Sequence, residues 1–218
     1  MRQVTKAAID DAGSPDPPTL GRRAEYAEAT RRAVMEVARR LFTERGYFAT
    51  TVRDIADGSR VSPATVYAVG GGKEVLLQAW MQEWLTGPAF VDSYARLYAL
   101  DDAEAIIRMT AEVVGKLRSD WGDIMRVAVT TAPHHEEVAG SLRLAREQYQ
   151  RGFTNIANRL AELGALKSGL DAKEAAKILW FYFGFPAYNS AIDDNGWSYA
   201  HTEDWLYQAA SASLLRAK

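Results

Sequence analysis

The chain of 218 residues contains no cysteine. Disulfides, thiolate metal sites and a cysteine nucleophile are therefore excluded, and a reducing compartment is permitted. Long hydrophobic runs are also missing. The nearest to one, Ile178 to Ile192, is uncharged and aromatic-rich, but it is shorter than the ~20 residues a membrane helix needs and contains Pro186. It reads as a buried or interface helix, and no membrane association is expected. Residues 1–22 lack the apolar core of a signal peptide and are rich in Asp, Pro, Gly and Ala, so a disordered lead-in and a cytoplasmic location are expected. There is no alternating strand pattern of useful length and no internal repeat, which makes the class all-α.

Catalytic signatures are missing as well. No Ser-His-Asp order or carboxylate pair stands out, and Gly70-Gly71-Gly72-Lys73 lacks both the spacing and the preceding strand of a phosphate loop. His134-His135-Glu136-Glu137 invites a metal reading, but only His134 and Glu137 would share a helix face. No enzyme activity, cofactor or metal is expected.

Composition is ordinary for a globular chain, at 48% hydrophobic and 25% charged, with a formal net charge of −2. The charge is unevenly spread. Residues 21–75 hold ten Arg and Lys against seven Asp and Glu, a net +3, so the remainder is acidic. A mildly basic N-terminal third suits a unit that neutralises phosphates while the body stays off nucleic acid, although a solvated helix face explains the asymmetry equally well.

Glu25 to Arg45 is strongly helical, with an apolar stripe of Ala33, Val34, Val37, Ala38, Leu41 and Phe42 ending at Gly46. Two short helices follow. Thr51 caps the first, where Val52, Ile55 and Ala56 share a face, and Ser62 caps the second, with Pro63 at its first position. The intervening turn falls at Arg60, a position needing positive φ at a cost of roughly 1 kcal/mol for a residue with a Cβ. This is helix-turn-helix spacing. In that docking geometry the start of the second helix faces base edges, so Ser62, Pro63, Ala64 and Thr65 are candidate readers; all are short, and direct readout would be sparse.

The stretch Ala38 to Leu77 resembles the TetR family of bacterial transcriptional regulators. The resemblance rests on Ala38, Leu41, Phe42, Gly46, Tyr47, Thr50, Thr51, Val52, Ile55, Ala56, Ser59, Val61, Ser62, Ala64, Thr65, Val66, Tyr67, Lys73, Glu74 and Leu76, aligned without a gap. Arg60 stands where the family has a turn glycine, and Val69-Gly70 replaces its His-Phe pair. The resemblance implies a three-helix DNA-binding domain at 23–73 and a helical ligand-binding and dimerisation domain at 74–218. It further implies Tyr67 and Lys73 as phosphate anchors, helped by Thr51 and by Arg53 or Arg60. Gly70, in place of an aromatic plug, either loosens interdomain coupling or permits a tight turn, and the turn is favoured.

Beyond Lys73 the pattern gives a helix to Gly87-Pro88, a piece carrying Phe90, Tyr94, Leu97 and Tyr98, an Asp101-capped helix, and a short helix from Asp123 to Thr131. Helices from His135 to Leu163, Asp171 to Asp193 and Thr202 to Leu215 complete it. This part is rich in aromatics, which build either an ordinary core or an apolar pocket. The resemblance implies a small-molecule effector there, with Trp80, Trp84, Met109, Trp121, Met125, Tyr149 and Phe153 as candidate contacts. It also implies a homodimer through the last two helices. The expected function is a repressor released from a palindromic operator by a lipophilic or aromatic ligand; the alternative is a constitutive DNA-binding or partner-protein module whose second domain only dimerises.

Overall fold

The computed structural model describes residues 21–86, 93 and 96–217. The lead-in up to Leu20 and the segment around Phe90 and Tyr94 fall outside the described residues. Within them the chain is helical, without a strand beyond one isolated bridge between Leu166 and Leu215.

Helix α1 spans Arg22–Arg45, α2 Val52–Ser59 and α3 Pro63–Gly70. Each boundary has a local cause. Gly46 ends α1 at φ 87°, and Thr51 closes a reciprocal capping box with Asp54 at the start of α2. Arg60 turns the chain in the left-handed conformation (φ 57°, ψ 39°), and the Ser62 hydroxyl accepts the Thr65 N–H at the start of α3. Val34, Ala38, Phe42, Ile55, Ala56 and Val66 are fully buried and form the centre of this three-helix unit. Gly71 and Gly72, both at positive φ, make the turn into α4 (Lys73–Thr86). Gly70 is buried, and a Cβ there would lie 2.8 Å from Leu76. Leu76 thus takes up the space beside Gly70, and the glycines serve a tight turn.

Helix α5 runs unbroken over Ala103–Thr131, so the expected separate helix at Asp123 is the second half of one long helix. Its cap is Asp102, which accepts the Glu104 N–H; Asp101 pairs with Arg159 instead. A 3₁₀ turn at Ala132–His134 leads to α6 (Glu136–Glu162). The helix expected over Asp171 to Asp193 is broken. Helix α7 (Ala172–Phe183) stops at Gly184, where a Cβ would stand 2.4 Å from the Trp180 carbonyl, and a short α8 (Phe185–Asn189) with Pro186 in its first turn follows. A π-turn over Ser190–Asp194 precedes α9 (Tyr199–Leu214), capped by Ser198.

One continuous apolar core joins both parts. Helix α4 packs on α1 and also on α5 and α6, and α7 packs on α6 and α9. No described helix is long and apolar enough to cross a membrane.

Candidate DNA-binding face and effector cleft

The first turn of α3 is displayed to solvent. Ser62, Pro63 and Ala64 are exposed and Thr65 is half-buried, while Val66 on the opposite face is fully buried. The helix is therefore held by one side and leaves its N-terminal turn free to enter a groove. The Thr65 hydroxyl lies 2.8 Å from that of Ser62, so the two share a hydrogen bond. Tyr67 is 58% exposed, a surface side chain and not a core aromatic. Arg53 and Arg60 are exposed as well.

Thr51 and Lys73 are engaged internally. The Thr51 hydroxyl and backbone N–H both donate to the Asp54 carboxylate, and these bonds hold it below the usual carboxylate range. The Lys73 ammonium donates to the carbonyls of Tyr47 (2.8 Å) and Thr50 (2.7 Å) and sits 4.3 Å from the centre of the Tyr47 ring. Two of its three donors thus staple the α1–α2 loop to α4, and one N–H is left over. Burial pulls the Lys73 pKa down, and burial pushes the Tyr47 phenol up to about 12. Thr51, Tyr67 and Lys73 nevertheless line one open groove of about 440 Å³, with Phe48, Gly72 and Glu74.

Residues 34–80 match the family model described as "Bacterial regulatory proteins, tetR family". Residues 34–80 are thus a TetR-type DNA-binding domain. Solved structures share the whole fold at low identity. A protein from Saccharomonospora viridis, described as a transcriptional regulator in complex with choline, is 21% identical over 87% of this chain and 100% of its own, with a TM-score of 0.72. NalD of Pseudomonas aeruginosa, the secondary repressor of the MexAB-OprM multidrug efflux pump, is 20% identical over 89% and 100%, at 0.69. The SmeT–triclosan complex is 16% identical over 86% and 92%, at 0.70. No curated protein sequence matches the chain.

The TetR-type domain is latched to the body by contacts that sequence periodicity did not reveal. Arg39 of α1 grips Asp123 of α5 with both arms, Nε to Oδ2 at 2.9 Å and Nη2 to Oδ1 at 2.7 Å, and Nη2 also donates to the Asp120 carbonyl. Its guanidinium lies 5.2 Å from the Trp80 ring and 5.0 Å from the Trp121 ring. The Trp80 indole N–H donates to the Met35 carbonyl. At the other edge His135 stands between two carboxylates, with Nε2 2.8 Å from Glu74 and Nδ1 3.2 Å from Glu137, the latter out of line for a hydrogen bond. The His135 ring also meets Tyr47 edge-on at 5.8 Å. Glu74 lies 61 positions from His135, which is why the local His-Glu run gave no hint of this cluster.

A cleft of about 250 Å³ opens between α4 and α5, lined by Glu83, Trp84, Met109, Glu112, Val113, Lys116, Leu117, Asp120 and Trp121, together with Ser93 and Arg96. Trp84, Met109 and Trp121 thus meet around one space. Tyr149 and Phe153 line a narrow recess of about 10 Å³ that shares Val113 and Leu117 with the cleft. Trp80 and Met125 line neither: Trp80 belongs to the latch on α1, and Met125 is buried in the core.

Proposed function

We propose that this TetR-family transcriptional regulator is a cytoplasmic homodimeric repressor, without catalytic activity, that leaves a near-palindromic operator when a small lipophilic or aromatic molecule enters the α4–α5 cleft. The observation that carries the reading is the position of Trp121. It walls the cleft and at the same time stacks beside Arg39, whose partner Asp123 is on the same helix as Trp121. A ligand pressing on Trp121 therefore pushes on the residue that orients α1, and α1 carries both α2 and α3. Neighbours of the same fold described with choline and with triclosan support a small organic effector, and NalD, described as a repressor, supports the sign.

On the DNA side, Ser62, Pro63, Ala64 and Thr65 would meet base edges and Tyr67 a phosphate, with Thr51, Arg53, Arg60 and the remaining N–H of Lys73 adding contacts. Dimerisation would use α7 and α9, which leave Phe181 72% and Trp205 46% exposed, more than an isolated monomer favours for aromatics of this size.

Coupling is reciprocal, so an effector that weakens operator affinity ~100-fold must bind the DNA complex ~100-fold more weakly, roughly 2.7 kcal/mol. The test is a titration of operator affinity against lipophilic and aromatic ligands, with tryptophan fluorescence read in parallel. A ligand that quenches tryptophan to saturation and releases DNA supports the reading. One that quenches and leaves operator affinity unchanged favours a constitutive DNA-binding module whose second domain only dimerises.

A further inference from the structure

Arg118 of α5 is 3% exposed, yet among the described residues no carboxylate pairs with it. Its surroundings are aromatic. The guanidinium lies 4.0 Å from the Phe185 ring centre, 5.5 Å from Tyr149 and 5.8 Å from Tyr188. One long bond from Nη2 to the Phe183 carbonyl, 3.4 Å, is its hydrogen bond, and Nε has no partner among the described residues. Ring faces hold a guanidinium in place but supply no full negative charge, and burying an uncompensated cation is costly.

The neighbours have the same bias. The Trp84 indole N–H and the Tyr188 hydroxyl are buried without hydrogen-bond partners among the described residues. The Trp84 ring touches Phe185 at 5.5 Å and Tyr149 at 5.9 Å, so these groups form one cluster around the two rings that flank Arg118. Arg118 Nε and Trp84 Nε1 can only donate, and a carboxylate or sulfonate can only accept. Trp84 also walls the effector cleft, so the cleft and the guanidinium are linked through Trp84 and the Phe185 and Tyr149 rings it meets.

We propose that Arg118 is the head-group site for an anionic effector, an aromatic or lipophilic organic acid whose apolar body occupies the α4–α5 cleft and whose acid group turns past Trp84 to the guanidinium. The inference rests on the effector reading given above and narrows it to ligand charge. Burial lowers the Arg118 pKa, which agrees with a charge that no described carboxylate compensates. Entry requires the Trp84 ring to swing aside, and Trp84 is on α4, the helix that follows the DNA-reading unit; occupancy of the head-group site and displacement of α4 are then one event.

The test uses two probes with the same skeleton on the full chain: 8-anilinonaphthalene-1-sulfonate, which carries the acid group, and N-phenyl-1-naphthylamine, which lacks it. Fluorescence titration of the wild type is expected to favour the sulfonate by about tenfold or more, and Arg118→Met to lower sulfonate affinity by about thirtyfold while leaving the neutral probe within about twofold. Arg118→Lys should restore part of the preference. Retention of wild-type operator affinity by Arg118→Met shows that the variant is folded; if it is not, the comparison of the two probes on wild type and Arg118→Lys decides. Equal binding of both probes to the wild type, or an Arg118→Met variant that keeps the preference, overturns the anion site and leaves the effector cleft standing. Failure of both probes to bind the wild type overturns the effector reading itself.

Discussion

Arg39 and Asp123, 84 positions apart, close a two-armed ion pair across the joint between the DNA-binding unit and the helical body. Burial alone would raise the Asp123 pKa, but hydrogen bonds from Arg39 and from the Ile124 N–H override it and hold the carboxyl below its usual range. The same bond to Asp123 raises the Arg39 pKa.

A carboxylate with a depressed pKa adds stability above its unfolded value and loses it as pH falls through its folded one. Asp123→Asn is therefore expected to cost about 1–2 kcal/mol at neutral pH, and progressively less as the pH falls below the ordinary carboxylate range. Thermal melts of wild type and variant from pH 7 down to pH 2.5 check it. A gap that stays constant across that range would show that Asp123 acts by shape and not by charge.

Lys73 and Tyr67 should separate folding from binding. Lys73→Ala strips donors from the Tyr47 and Thr50 carbonyls and is expected to destabilise the chain by about 1–3 kcal/mol. Tyr67→Phe removes one exposed hydroxyl, leaves stability within ~0.5 kcal/mol and weakens binding to all DNA sequences alike. Denaturant melts and binding to specific and non-specific duplexes decide it. A change in base preference in Tyr67→Phe would reassign that side chain to base readout.

Arg60 holds φ 57° with a Cβ, a conformation that glycine adopts freely. Arg60→Gly is expected to raise stability by about 1 kcal/mol. If the arginine meets a phosphate, the same variant loses DNA affinity and its salt slope falls by roughly one unit. Unchanged stability would mean that the turn stores no strain, and an unchanged salt slope would remove Arg60 from the DNA contacts.

Trp121→Ala should lower effector affinity and weaken the effect of ligand on DNA, with ligand-free operator binding nearly intact. Trp84 is a poorer probe. It is 2% exposed, and its truncation to alanine would cost about 3–5 kcal/mol from packing alone. Isothermal titration with and without operator checks the Trp121 variant; full ligand control of DNA binding in its presence would exclude the Trp121–Arg39 route.

The helix-turn-helix was legible because its signals are local. Thr51, Arg60 and Ser62-Pro63 set caps and a turn within a few residues, and no distant contact is needed to place them. Helix α5 was misread as two because Gly122 and the charged run before it look like a break. A helical glycine costs about 1 kcal/mol, and packing of α5 along α1, α6 and α9 outweighs that. The break at Gly184 was hidden inside an apolar run whose periodicity continues past it. The pairs Arg39–Asp123 and Glu74–His135 join positions that no periodicity connects. Arg118 could have been found: with Ile107, Ala111 and Val114 it completes a stripe of buried positions spaced four, three and four apart, a charge set on a core face.

The proposed function rests on DNA being read by a symmetric dimer through the first turn of α3. Selection of bound duplexes from a random double-stranded library by the purified full chain tests it most directly. The account expects an enriched inverted repeat with half-site centres about one helical turn apart, roughly 34–36 Å, and a changed half-site, at unchanged spacing, for Thr65→Ala. No enriched sequence, or a single unrepeated site bound by one protomer, would contradict it.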